Sequence, residues 1–177
     1  IRIAKEFIKF NERCFVRLLG DMRSYNYVVD ITPDFEEAQY RIRAIDFDQQ
    51  SYEGRKNIYF PQFFKENYPA VKLCLKHITR DTAFQYQKEE RTLMARRLKT
   101  SRYRLKDLLD TMVKDTIAPK EYVEELRGEL AEYFKDMSYH ECKNMGEILK
   151  KNLKKTLLSP MRKINQTNKG LQDFTSF

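Results

Sequence analysis

Glycine and proline are scarce in this chain, with only five of each among 177 residues. This scarcity, and the lack of any low-complexity tract, excludes collagen-like and linker-type sequences and favours long helices over a β-rich fold. Apolar residues make up 41% and aromatic residues 13%, so the chain can bury a core although 34% of it is charged. We therefore expect one ordinary domain that is mostly α-helical with a small β-hairpin, an α+β fold.

Cysteine is also rare, and no long apolar run is present. The three cysteines, Cys14, Cys74 and Cys142, are odd in number and widely spaced, which argues against a disulfide framework and against zinc-ligand spacing. No apolar stretch approaches the roughly 18 residues that a membrane helix needs. These absences favour a reduced, cytoplasmic compartment and no membrane partner.

Two acidic groups and an amide stand at the ends of apolar segments in the first third of the chain. Asp21 and Asn26 are separated by four residues, and Asp46-Phe47-Asp48 follows after one more β-like run. Mg²⁺ prefers hard oxygen ligands, commonly one or two protein carboxylates together with phosphate oxygens and waters. A carboxylate in the same loop can accept the proton of an attacking hydroxyl. The pattern therefore indicates a magnesium–phosphate site.

The segment between these polar groups predicts a β-hairpin over residues 27–45. Residues 27–31 are β-branched or aromatic, Thr32-Pro33-Asp34 is a turn signal, and residues 40–44 alternate between apolar and basic. We expect a long connection that includes residues 32–39. Antiparallel pairing brings the residues before the first strand close to those after the second, so the polar groups are expected at one end of the hairpin.

The chain contains Asp-x-x-x-x-Asn, then a predicted hairpin, then Asp-Phe-x. This order resembles the catalytic loop and metal-binding segment of the protein-kinase-like fold, nearest the aminoglycoside and choline phosphotransferase branch. The resemblance implies a kinase-like C-terminal lobe in which Asp21 is the catalytic base. It implies Asn26 and Asp46 as Mg²⁺ ligands, Asp48 as a second-metal or substrate group, and Arg23 as a contact to the transferred phosphate. The implied cofactors are Mg²⁺ and ATP, and the implied substrate bears a hydroxyl, with a small molecule slightly favoured over a protein.

Several departures limit what the resemblance implies. Leu19 or Gly20 stands where kinases often have histidine before the catalytic aspartate, Asp48 replaces a glycine, the hairpin connection is long, and no Ala-Pro-Glu follows. These differences argue against a conventional eukaryotic-type protein kinase and leave a degenerate, pseudokinase-like site as an alternative. Only 20 residues precede Asp21, without a glycine-rich phosphate loop or a strand lysine. The ATP-binding N-terminal lobe is therefore expected from upstream sequence or from another chain.

The resemblance covers roughly residues 1–80, and on this basis we interpret the chain as a C-lobe over residues 1–164 and a polar tail over 165–177. The lobe comprises the catalytic loop 19–26, the hairpin 27–45, the metal segment 46–48 and a helical remainder. Apolar periodicity predicts the helices. They are expected over 1–19, 63–78 with a break near Pro69, 81–97, 102–114, from 118 onward and 139–158, with an irregular segment over 49–61.

A basic region between residues 88 and 106 supports a second hypothesis. The net charge of the chain is +8, and this region could bind nucleic-acid phosphates or an acidic partner. Acidic residues are interspersed, so an ordinary solvated helix face is the competing interpretation. The alternative function is a non-enzymatic helical module. The residues that would bind a polyanion are Arg91, Arg96, Arg97, Lys99, Arg102 and Arg104.

Overall fold

The first helix, α1 (Arg2–Arg17), is the central element, because it is buried on more than one side. In the computed structural model, which describes residues 1–35 and 37–167, with side chains to residue 158, α1 packs against helices on one face and a hairpin on another. It ends at Leu18, which adopts a left-handed conformation with φ 49° and bonds back to Cys14 and Phe15. The expected helix over 1–19 is confirmed apart from its ends.

A two-stranded antiparallel sheet follows α1, as predicted. Strands β1 (Tyr27–Pro33) and β2 (Ala38–Ala44) pair from Tyr27 with Ala44 to Pro33 with Ala38. The strands extend further toward the turn than the sequence pattern suggested, which leaves a connection of residues 34–37. The expectation of a long connection was therefore wrong, because Thr32 and Pro33 continue the ladder.

The remaining chain is helical. The segment predicted to be irregular contains a 3₁₀ turn, Lys56–Tyr59, and two more turns follow it, Pro61–Phe63 and Lys65–Asn67. Pro69 lies in the first turn of the next helix and does not break it. The longer helices are α2 (Tyr68–His77), α3 (Arg80–Thr100), α4 (Arg102–Met112), α5 (Lys120–Phe134) and α6 (Met145–Thr167).

The ends of the last helix differ from the prediction. Residues 137–141 form a separate 3₁₀ turn, and α6 begins at Met145 and continues through residues 165–167. The first three residues of the predicted tail are therefore helical, and residues 168–177 lie outside the described part. A mostly α-helical fold with one small hairpin is confirmed.

Two hydrophobic clusters lie on either side of α1. The larger cluster joins α1 to α3, α4, α5 and α6, with Phe15, Tyr59 and Leu126 fully buried within it. The smaller one joins α1 to the hairpin and α2 through Phe7 and Ile42. Since α1 contributes to both clusters, it holds the loop that follows it in a defined position. No helix in the described residues is long and apolar enough to cross a membrane.

Candidate phosphotransfer site

The loop after α1 has a constrained backbone. Asp21 has φ 53°, a left-handed conformation that aspartate tolerates better than most residues. Its N–H donates to the carbonyl of Ile58 at 3.2 Å, and the Gly20 N–H donates to the carbonyl of Gln49 at 3.1 Å. A Cβ on Gly20 would lie 2.9 Å from that Gln49 oxygen. Glycine is therefore required for the close approach that positions Asp21.

Asp21 and Asn26, at the two ends of the loop, lie in direct contact. The Asn26 amide donates to the main-chain carbonyl of Asp21 at 2.7 Å and approaches Asp21 Oδ2 at 3.4 Å. Asn26 is 8% exposed, whereas the side chain of Asp21 is 29% exposed. Since the amide nitrogen is occupied, the Asn26 Oδ1 atom remains as an acceptor. It makes no hydrogen bond within the described residues.

Arg23 lies beside the carboxylate of Asp21. Its Nε donates to Asp21 Oδ1 at 2.8 Å, its Nη1 to Glu66 Oε1 at 3.1 Å, and its guanidinium lies 5.1 Å from the ring centre of Phe64. The hydrogen bond to Asp21 raises the pKa of Arg23 above its already high value, so the side chain remains charged. Glu66 follows Arg23 by 43 residues, and no sequence spacing indicated this contact.

Asp46 lies just after β2, at the same end of the hairpin as Asn26. The Ile45 N–H donates to the carbonyl of Asn26 at 3.0 Å, which places the next residue, Asp46, beside the loop. Asp46 is half-buried, and its Oδ1 accepts the N–H of Asp48 at 3.0 Å. Asp48 is exposed. The main chain thus joins the loop to the metal segment, whereas no side-chain contact links Asp46 or Asp48 to Asp21 in the described residues.

The donor atoms here are hard oxygens: the Asn26 amide oxygen and the Asp46 carboxylate. Within the described ranges, no group of three or more histidine, cysteine, aspartate or glutamate side chains could hold a metal ion. A complete protein cage is therefore absent from that part of the chain. Magnesium in phosphate sites takes few protein ligands and completes its shell with phosphate and water, so these two donors fit such an ion in their chemistry.

A buried charge network behind the loop was not predicted. Arg13 Nη2 donates to Glu6 Oε1 at 2.6 Å and to the carbonyl of Ile42 at 2.9 Å, while Arg13 Nη1 lies 3.2 Å from Glu90 Oε1. The Glu90 contact is within ion-pair distance but does not have hydrogen-bond geometry. Glu6 and Arg13 are seven residues apart on one helix, a spacing that could have indicated a shared face.

The basic region named for the alternative function is partly exposed and partly engaged in contacts within the chain. Arg91 pairs with the buried carboxylate of Glu12 on α1, and burial is the largest effect on Glu12, whose pKa it raises. Arg102 lies over the ring of Tyr103 at 4.8 Å, and Lys99 is half-buried. The exposed members are Arg96, Arg97, Arg102 and Arg104.

No protein-family model, curated protein or solved structure matches the chain.

Proposed function

We propose that this chain contributes the catalytic and metal-binding half of an ATP-dependent phosphotransferase that acts on a hydroxyl group, with a small-molecule acceptor slightly favoured over a protein. In this proposal the nucleotide-binding lobe is supplied by further sequence or by another chain. The proposal treats the chain as a kinase-like C-terminal lobe whose site consists of Asp21, Arg23, Asn26 and Asp46, with Asp48 at the exposed edge.

One continuous set of contacts carries the proposal. The Asn26 side chain donates to the Asp21 carbonyl, and the Asn26 carbonyl accepts the N–H of Ile45, next to Asp46. Residues that would supply a base, an amide oxygen and a carboxylate are thereby held near one another by hydrogen bonds of 2.7 and 3.0 Å, although their positions span 26 residues of sequence. Phosphoryl transfer depends chiefly on positioning and on charge stabilisation, and this arrangement supports both.

Each residue has a distinct role in the proposed reaction. The Asp21 carboxylate accepts the proton of the attacking hydroxyl, since it is partly exposed and its backbone is held on both sides. Arg23 uses Nε and Nη1 for Asp21 and Glu66, so Nη2 remains for an oxygen of the transferred phosphoryl group. Asn26 Oδ1 and the Asp46 carboxylate would hold Mg²⁺, which when bound neutralises phosphate charge.

The test is Mg²⁺-dependent transfer of the γ-phosphoryl group of ATP by the full-length protein, together with any partner chain that supplies the nucleotide lobe. Asp46→Ala should lower the rate by at least about 100-fold, because loss of a positioned charge in such sites costs several kcal/mol. Calorimetry with Mg²⁺-ATP should show weaker binding in the same variant.

Asp107→Ala is the matched control, since Asp107 is an exposed carboxylate on α4, remote in sequence from the site. It should leave both rate and binding unchanged. Equal activity of the Asp46→Ala variant and the wild type would contradict the proposal. Mg²⁺-ATP binding that is retained without transfer to any acceptor would favour the pseudokinase alternative.

A further inference from the structure

A cavity of about 380 Å³ lies between α1, α3, α4 and α6, and Gln50, two residues beyond Asp48 in the sequence, also lines it. Its volume falls within the range of small-molecule pockets, roughly 300–1,000 Å³. We call it the four-helix cavity. Its apolar walls are Met94, Leu98, Leu105, Leu108, Leu149 and Leu153.

The lining of the four-helix cavity also includes cationic side chains. Arg13, Arg17 and Arg97 line it, and they come from α1 and α3. Arg17 donates through Nε to the Arg13 carbonyl at 3.2 Å. In the described part of the chain no carboxylate lies within ion-pair distance, 4.0 Å, of Arg17 or Arg97. These two guanidinium groups therefore face the cavity without an acidic partner.

The surrounding charges do not balance. Glu6 and Glu90 each lie within ion-pair distance of both Arg13 and Arg41, so two arginines already share these two carboxylates. Arg17 and Arg97 therefore add two positive charges beside the apolar cavity, and no ion pair in the described residues offsets them. Burial lowers the pKa of Arg17, which reflects the cost of desolvating its charge. A bound anion would offset this cost.

We infer that the four-helix cavity binds an anionic amphiphile, with its carboxylate or phosphate-monoester head group on Arg17 and Arg97 and its unbranched alkyl chain between the leucines. The arginines match the anionic head group of such a molecule, and the leucine walls match its alkyl chain. A wholly polar anion would leave the leucine walls unfilled, and a neutral alkane would leave the arginines unpaired.

The experiment measures binding of decanoate, decyl phosphate and decanol to the protein by calorimetry, below their micellar concentrations. Both anions should bind, and decanol should bind at least about tenfold more weakly, since a charge-assisted hydrogen bond contributes about 1.5–3 kcal/mol. Affinity should also rise about fourfold for each methylene added between hexanoate and decanoate. The comparison of decanoate with decyl phosphate shows which head group is preferred.

Arg97→Gln and Arg96→Gln form a matched pair. Both arginines are exposed neighbours on α3 and neither pairs with a carboxylate in the described residues, but only Arg97 lines the cavity. Arg97→Gln should weaken decanoate binding about tenfold, whereas Arg96→Gln should change it less than twofold. Leu108→Asn, at a position 53% exposed, should weaken decanoate more than hexanoate.

Absence of binding for both anions would overturn the inference, as would equal affinity for decanoate and decanol. Equal losses in the two arginine variants would also overturn it. If both variants instead lost affinity for a single-stranded RNA oligonucleotide while decanoate failed to bind, the arginines would belong to a nucleic-acid surface. Phosphotransfer by the Arg97→Gln variant should be unchanged, so this test is independent of the proposed function.

Discussion

The carboxylate of Glu6, on α1, accepts a hydrogen bond of 3.0 Å from the main-chain N–H of Ile42, on β2. The carbonyl of the same Ile42 accepts from Arg13, which in turn donates to Glu6. Two charged side chains of the central helix thus form hydrogen bonds with the main-chain N–H and carbonyl of one residue at the outer edge of the hairpin. This contact orients the hairpin on α1 and, with it, the loop that carries Asp21.

Glu6→Ala is expected to destabilise the protein by about 3 kcal/mol, because it removes one of the two carboxylate partners of the buried Arg13 and leaves the Ile42 N–H without its acceptor. Urea denaturation measures the change. Glu37→Ala is the control, since Glu37 pairs with Arg2 on the surface, and exposed pairs contribute about 0–1 kcal/mol. Similar losses in the two variants would show that the buried network does not stabilise the fold.

Two glycines within helices should respond in opposite directions to alanine. A Cβ on Gly146 of α6 would lie 2.3 Å from the main chain of Met112, whereas a Cβ on Gly128 of α5 would have its nearest neighbour at 4.0 Å. Gly146→Ala should therefore destabilise by about 1–3 kcal/mol through overpacking. Gly128→Ala should stabilise by about 0.5–1 kcal/mol through helix propensity. Thermal melts of both variants check the signs, and a stable Gly146→Ala variant would contradict the tight α4–α6 contact.

Asn26→Ala tests the contact within the loop. Loss of the amide leaves the Asp21 carbonyl without its 2.7 Å partner, and we expect a stability loss of about 1–3 kcal/mol. If the proposed function holds, Mg²⁺-dependent transfer should fall at least about tenfold as well. Asn57→Ala, at an exposed asparagine, should change neither quantity. Unchanged backbone amide shifts of residues 21–26 in the Asn26→Ala variant would argue against the contact.

The pKa of Asp136 should depend on Lys155. A hydrogen bond from Lys155, 2.8 Å long, is the largest effect that lowers this pKa from 3.8 to about 2, and bonds from Ser138 add to it. Because the carboxylate of Asp136 ionises more readily in the folded state, its ionised form stabilises the fold above pH 3.8. This contribution is lost as the pH falls through about 2.

Lys155→Met should therefore raise the pKa of Asp136 toward 3.8, as measured by NMR titration of its carboxyl carbon. The difference in melting temperature from the wild type should disappear as the pH falls from about 4 to 2. Lys154→Met, at an adjacent exposed lysine, should leave the titration unchanged. An unaltered titration in the Lys155→Met variant would disprove the pairing.

Local patterns predicted the elements well and their ends less well. Alternation over residues 40–44 identified β2, and apolar periodicity identified α1 and α3, because these signals belong to neighbouring residues. The hairpin turn was misjudged because Pro33 can end a strand as well as begin a turn. The proximity of Asp21 to Asn26 could be predicted since a short loop separates them. The contact of Arg23 with Glu66 could not, since it depends on how 43 residues fold between them.

The sequence by itself determined that this protein is mostly helical with one hairpin and that its polar motif lies at one hairpin end, because periodicity and antiparallel pairing are local properties. Only the tertiary structure decided which charged side chains lie close together. Arg17 and Arg97 are 80 residues apart, yet they line one cavity, because α1 packs against α3 over a shared core. No spacing along the chain encodes that packing, which depends on the free energy of the whole fold.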